Sequence, residues 1–182
     1  NPIPDFVAMC EVENDSVMFD LTRRSLLRNA GYEYVMTSSP DERGIDVALL
    51  YQPASFALLH SHSIRIKPLP DTRPTRDILY ASGVIITGDT LHVFVVHAPS
   101  RRGGEVASRP YRLHVADRRS LDQVLCSPSL AKVKQKCQIG DHPFLLEDDE
   151  KYGGKKPYRT FLGPRYLGGY SDHLPLLVQF VF

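Results

Sequence analysis

The chain closes on Gly168-Gly169-Tyr170-Ser171-Asp172-His173-Leu174-Pro175, and the run Leu176-Leu177-Val178-Gln179-Phe180-Val181-Phe182 follows at once. That run reads as a buried strand. A carboxylate and an imidazole therefore stand side by side where a strand begins. A carboxylate can hold a hard metal ion while a neighbouring imidazole handles a proton or a developing oxyanion. Three other segments share the design: Cys10-Glu11-Val12-Glu13-Asn14, His97-Ala98-Pro99-Ser100-Arg101-Arg102-Gly103-Gly104 and Ser120-Leu121-Asp122-Gln123-Val124-Leu125. In each, an apolar strand-like run carries or delivers a residue of catalytic type.

The 182 residues suffice for one domain, 1–182, with its own core. A content of 42% hydrophobic and 24% charged residues is that of a globular chain. A formal net charge of +1 creates no global field toward nucleic acid, so recognition of an anion rests on a local patch. No apolar stretch approaches the ~20 residues of a membrane span. The widely spaced Cys10, Cys126 and Cys137 match no zinc or disulfide pattern and are expected as small core residues.

Asp5 to Cys10 is expected as a buried strand ending at Glu11. Asn14 or Asp15 caps a helix that carries Val17, Met18, Leu21, Leu26 and Leu27 and stops near Gly31. Further strands are expected at 32–36, 45–51, 56–60, 64–66, 124–126 and 174–182. Ile78 to Thr87 and Leu91 to Val96 flank Gly88-Asp89, a hairpin signal. A helix is expected over 108–119, weakened by Pro110. Many strands and few helices predict an α+β layered fold. Residues 137–169, rich in Gly, Lys, Asp and Tyr, read as one long irregular loop.

Each candidate residue also has a plainer role. Glu11 suits a Mg²⁺ site made of one carboxylate plus phosphate oxygens, or a solvated strand end. Glu13 competes as ligand and is expected to face solvent. Val93, Val95 and His97 share one face. His97 is either a structural histidine or, with Arg101 and Arg102 beside a flexible backbone, part of a phosphate cradle. Arg76 either grips phosphate or pairs with Asp77. Asp122, inside an apolar run, needs a partner, and the imidazole of His173 or of His97 would serve. Glu147-Asp148-Asp149-Glu150 is expected as a solvated loop.

In this order the segments resemble the endonuclease/exonuclease/phosphatase superfamily, the fold of pancreatic deoxyribonuclease. Pro4-Asp5-Phe6-Val7-Ala8-Met9-Cys10-Glu11 is similar to the family's second motif, with Cys10 where Gln is usual. Gly44-Ile45-Asp46-Val47-Ala48-Leu49-Leu50-Tyr51 resembles the core strand that follows, and Arg76 stands where relatives carry a phosphate-contacting Arg. Val96-His97-Ala98-Pro99 resembles the central His strand. The segment from Leu121 to Pro128 resembles the strand whose Asp orients the terminal His, and Ser171-Asp172-His173-Leu174-Pro175 matches the closing motif.

The resemblance implies a two-layered β-sandwich flanked by helices and a metal-dependent hydrolysis of phosphate esters, a nuclease-like phosphodiester first. Phosphomonoesters and sphingomyelin-like lipids are the alternatives. It implies Mg²⁺ or Mn²⁺ on Glu11, His173 oriented by Asp122 to activate water, Asp172 beside it, and His97, Arg76, Arg101 and Arg102 on phosphoryl oxygens. Two expected parts have no counterpart in the sequence: a first strand bearing an Asn ligand, and an Asp-x-Asn strand end after His97. The expected explanation is a break in the chain between Val115 and Leu121 and a strand before Asn1. If those ligands are truly absent, a non-catalytic binding module is implied instead. Lys151, Lys155, Lys156, Arg159 and Arg165, interleaved with Tyr152, Tyr158, Tyr166 and Tyr170, suit a nucleic-acid strand or another anionic ligand.

Overall fold

A computed structural model of the chain describes residues 3–67, 74–98 and 124–182. Arg101, Arg102 and Asp122, the helix expected over 108–119 and the break expected between Val115 and Leu121 lie outside the described residues. The chain divides into two compact units, Asn1–His114 and Val115–Phe182.

The first unit is built around a strand with no exposed face. Asp46–Tyr51 (β3) is buried at every position. Phe6–Val12 (β1) pairs with it antiparallel on one side and Glu33–Met36 (β2) on the other, giving the order β1-β3-β2. A strand covered on both faces reads as a continuous apolar run, and Val47-Ala48-Leu49-Leu50 is one. Its alternate residues serve two layers. Ala48 and Leu50 join Val12, Met18 and Tyr32 under the helical segment. Val47 and Leu49 pack against Leu79, Ala81 and Val95 of a second sheet. That sheet is formed by Phe56–Ile64 (β4), Ile78–Ile85 (β5) and Thr90–Val95 (β6), antiparallel in the order β4-β5-β6. The result is a two-layered β-sandwich with helical cover on one face. Truncating a core residue such as Leu49 to Ala should cost about 2–5 kcal/mol.

The helix is shorter than expected. Asn14 caps it, its side chain accepting from Val17 N at 3.1 Å. The α-helical part, Asp15–Phe19 (α1), then widens into a π turn over Asp20–Arg24 and ends in a 3-10 turn, Leu26–Ala30. Two hydroxyls loosen the ladder. Thr22 Oγ1 donates to Met18 O at 2.8 Å and Ser25 Oγ to Leu21 O at 2.5 Å, which competes with main-chain bonding and bends the segment. Gly31 closes it at φ 69°, the left-handed cap that glycine supplies without strain.

Strands β1, β2, β3, β5 and β6 fall close to their expected positions. Two expected strands, 56–60 and 64–66, are one strand, because β5 pairs along the whole of β4 and tolerates its exposed His60-Ser61-His62-Ser63 stretch. A strand at 124–126 is not formed.

In the second unit Lys134–Ile139 (β7) pairs antiparallel with Leu176–Val181 (β12). The expected long loop between them is folded. A 3-10 turn, Pro143–Leu145, leads into a hairpin of Leu146–Asp148 (β8) and Lys155–Pro157 (β9). A second hairpin joins Phe161–Leu162 (β10) to Arg165–Tyr166 (β11). The acidic run is only partly a loop. Glu147 and Asp148 lie directly opposite Lys156 and Lys155, with ion pairs at 3.7 and 2.7 Å. Cross-strand opposite charges of this kind favour one register. Asp149 caps the turn, its Oδ1 accepting from Lys151 N and Tyr152 N.

The cysteines are not core residues: Cys10 and Cys137 are exposed and Cys126 is half-buried. Cys137 sits on β7, whose described side chains are all exposed, so a small apolar residue there gains no burial. No described helix is long and apolar enough to cross a membrane.

Candidate active site

The two sheets of the first unit deliver several strand ends to one place. Antiparallel pairing puts the end of β1 beside the start of β3, Val12 opposite Asp46. It likewise puts the end of β6 beside the start of β5, Val95 opposite Leu79. Glu11 and His97 lie at these ends. The expected strand ends at Glu11. Glu11 lies inside the strand, at a bulge where the register shifts between Cys10 and Val12. Its φ is 60°, and among the described residues it is the one non-glycine with positive φ. A bulge re-aims a side chain and interrupts the ladder. The Glu11 side chain is 59% exposed, and its Oε1 stands 3.8 Å from Nε2 of the 22% exposed His97. Glu13 faces solvent, as expected.

The imidazole of His97 is held neutral. Burial lowers its pKa below 6.5, the positive charges of Arg76 and Arg43 act the same way, and Glu11 and Asp41 only partly oppose them. Its Nδ1 is buried with no hydrogen-bond partner among the described residues. A buried lone pair without a donor costs less than a buried N–H without an acceptor, so the favoured tautomer carries its proton on Nε2, toward Glu11.

Arg76 is a buried guanidinium. It pairs with Asp41, and not with Asp77, the ion pair weighed against phosphate binding: Nη1 to Oδ2 is 3.1 Å, with side chains 7% and 6% exposed. Asp77 pairs instead with Arg65 at 2.9 Å. Asp41 is shaped by its turn. Its Oδ1 accepts from Arg43 N at 3.0 Å, and Gly44 N bonds to its carbonyl at 3.0 Å. Burial would raise the Asp41 pKa, but the Arg43 amide and the Arg76 and Arg43 charges outweigh it and hold the carboxyl below its ordinary range. Behind this pair runs a polar network. Asp46 Oδ1 accepts from Thr37 Oγ1 and Ser39 N, each at 2.7 Å, and Ser39 Oγ accepts from Asp77 N at 3.0 Å. It joins the ends of β2 and β3 in one sheet to the start of β5 in the other. Sequence reasoning missed Asp41 and Arg43. The available signal was three charged residues, Asp41, Glu42 and Arg43, within a turn that runs from Pro40 to Gly44 directly before the core strand.

Asp172 and His173 belong to the second unit and lie just ahead of β12. Both are exposed, and His173 N donates to Ser171 Oγ at 3.1 Å. Two close backbone approaches fix the motif. Gly140 N bonds Pro175 O at 2.8 Å, and Tyr170 N bonds Tyr158 O at 2.7 Å. A Cβ on Gly169 would stand 2.3 Å from Tyr158 O, so no other residue fits there.

Among the described residues no group of three or more His, Cys, Asp or Glu side chains gathers into a cage. An exposed single carboxylate fits Mg²⁺ or Mn²⁺, which take one or two carboxylates and complete their shell with water and phosphate oxygens.

The sequence profile described as the endonuclease/exonuclease/phosphatase family matches residues 1–133 and 118–181. The chain belongs to that family. Among solved structures it is similar to the human Nocturnin catalytic domain with bound sulfate, at 23% identity and TM-score 0.47, over 58% of this chain and 42% of that one. It is similar to D. rerio TDP2 complexed with single-strand DNA product, at 22% identity and TM-score 0.38, over 50% of this chain and 32% of that one. A third likeness is to ANGEL2, a 2',3'-cyclic phosphatase, in complex with adenosine-2',3'-vanadate, at 18% identity and TM-score 0.40, over 50% and 26% of the two chains. The chain thus spans less than half the length of each of these three structures. No curated protein matches it.

Proposed function

We propose that the chain is a divalent-metal-dependent phosphoesterase that hydrolyses phosphodiesters. The observation that supports this most directly is the pairing of Glu11 with a neutral His97 at adjoining strand ends, with Glu11 aimed by a bulge at positive φ. Local strain of that kind clusters at functional sites. Glu11 would hold Mg²⁺ or Mn²⁺, and the ion, when bound, stabilises charge on phosphoryl oxygens.

The chain's own residues supply the rest. His97 donates Nε2–H to a phosphoryl oxygen, and a neutral donor there leaves the Glu11 charge free for its ligand. Arg76, fixed by Asp41, adds a preorganised positive field. From the family motif, His173 takes the proton of the attacking water, with Asp122 orienting its imidazole, as a carboxylate does in a catalytic dyad. Asp172 positions that water, and Arg101 and Arg102 bind the substrate's outer oxygens.

The test is turnover of a generic phosphodiester, an oligonucleotide and a phosphomonoester, with Mg²⁺ or Mn²⁺ and with chelator. His173→Ala should lower kcat/KM about 10²-fold or more, the usual range for loss of an acid or base, and Glu11→Gln should lower the metal-dependent turnover by removing the carboxylate that would hold the ion. Turnover that persists in chelator, or a Glu11→Gln variant as active as the wild type, would overturn the proposal. Preference for the monoester would move the substrate class and leave the site.

A further inference from the structure

The second unit carries aromatic side chains that its own packing does not use. Phe144 and Tyr170 are each 59% exposed, yet their rings meet at 5.5 Å and 78°. A near-perpendicular pair makes a corner: one ring offers a face, the other a wall. His142 extends it, stacked on Phe144 at 5.8 Å and 8°. The corner is rigid. Tyr158 supports Tyr170 edge-on at 6.4 Å and is itself tied down by its hydroxyl, which donates to Leu167 O at 2.8 Å. Thr160 Oγ1 donates to Tyr170 O at 2.7 Å, and Gly169 N bonds Arg159 O at 3.2 Å. Tyr170 stands two residues before Asp172, so at most about 7 Å of chain separates corner and motif.

The local charge indicates what would lie there. From Lys151 to Ser171 the sequence holds five cations and no carboxylate. Lys155 and Lys156 are answered by Asp148 and Glu147. Arg159 and Arg165 form no ion pair with any described residue. Flat rings beside unanswered guanidiniums favour a ligand that alternates planar heterocycles with phosphates. A free sugar phosphate lacks the flat aromatic face that a nucleobase offers to such a corner.

We propose that Phe144 and Tyr170 stack a nucleobase of a single-stranded nucleic acid, with Arg159 on its backbone, next to the Asp172–His173 motif. This rests on the phosphoesterase reading for the role of that motif and narrows its substrate to strands that carry bases. The experiment is fluorescence anisotropy of a short labelled single-stranded oligonucleotide and of a base-free oligonucleotide of the same length, both in chelator so that nothing is cleaved. The wild type should bind the base-bearing strand about 5- to 100-fold more tightly. Tyr170→Ala and Phe144→Leu should remove most of that preference, and Tyr170→Phe should keep it. If Tyr170→Ala does not fold, Phe144→Leu decides, since it keeps an apolar side chain and loses the flat face. Equal affinity for the two strands, or an unchanged preference in a folded Phe144→Leu variant, overturns the stacking proposal. A metal-dependent phosphodiesterase that shows equal affinity would refute the corner alone. Base-dependent binding without any turnover would refute the phosphoesterase reading alone.

Discussion

Glu11 gives the sharpest test of how site and fold are coupled. At φ 60° any side chain with a Cβ is strained, by about 1–2 kcal/mol relative to right-handed backbone. Glycine escapes that strain but brings more freedom to the unfolded chain, a loss of about 0.5–1 kcal/mol. The side chain itself contributes little to the fold, being 59% exposed with the neutral His97 imidazole at 3.8 Å. Glu11→Ala should therefore leave stability within about 0.5 kcal/mol of the wild type. Glu11→Gly should be more stable than Glu11→Ala by up to about 1 kcal/mol, or about 2–4 °C in Tm for a chain of this size. At an ordinary strand position the order is the reverse. Urea and thermal unfolding of the three proteins in chelator measure it, and both variants should lose metal-dependent turnover. If Glu11→Ala proves clearly more stable than Glu11→Gly, the strand carries no strain at the bulge and the argument from it fails.

Two further outcomes are expected. Asp41→Asn removes the carboxylate that stands 3.1 Å from the buried Arg76 guanidinium and should cost about 3–5 kcal/mol, much of it recovered when Arg76→Met is added, because breaking a buried ion pair at one partner costs more than replacing both; denaturation of the single and double variants checks this. Stability should also fall with acid through His97. Its folded pKa is depressed, so the unfolded chain takes up the proton first, and stability present above pH 6.5 is lost as pH falls toward the folded value. In chelator, His97→Gln should flatten that slope while the opposing Glu11 and Asp41 and the reinforcing Arg76 and Arg43 remain; an unchanged slope would assign it to other groups.

Sequence carried the sandwich because its central strand is written twice. Val47 and Leu49 serve one layer and Ala48 and Leu50 the other, so the run from Val47 to Leu50 is legible without any structure. The hairpin at Gly88-Asp89 was equally plain: Gly88 takes φ 86° and Ile85 N bonds Asp89 O at 3.0 Å. Long-range pairing was not legible. Residues 137–169 looked structureless because β10 and β11 have two residues each, too few for any period, and are held by bonds such as Leu167 N to Thr160 O. The helix broke early because Thr22 and Ser25 turn their hydroxyls back on it, a preference that apolar spacing hides. At the site, Glu11 and His97 were legible as polar residues closing apolar runs. The partner of Arg76 was not. Asp77 is adjacent in sequence, but it belongs to Arg65, and Asp41 reaches Arg76 from 35 positions away.

That last pairing bears on how quickly the site can respond. A guanidinium free in solvent must shed water and settle its rotamers when an anion arrives, and its dipoles reorganise as charge moves. Arg76 has done both on folding, with Asp41 at 3.1 Å as its standing counterion. Its attraction for a ligand is weakened by that counterion. In exchange its reorganisation energy is small, since both groups are buried and already paired. On the proposed reading, such a residue acts less as a hand that grasps a phosphate than as part of a fixed field into which the phosphate is placed.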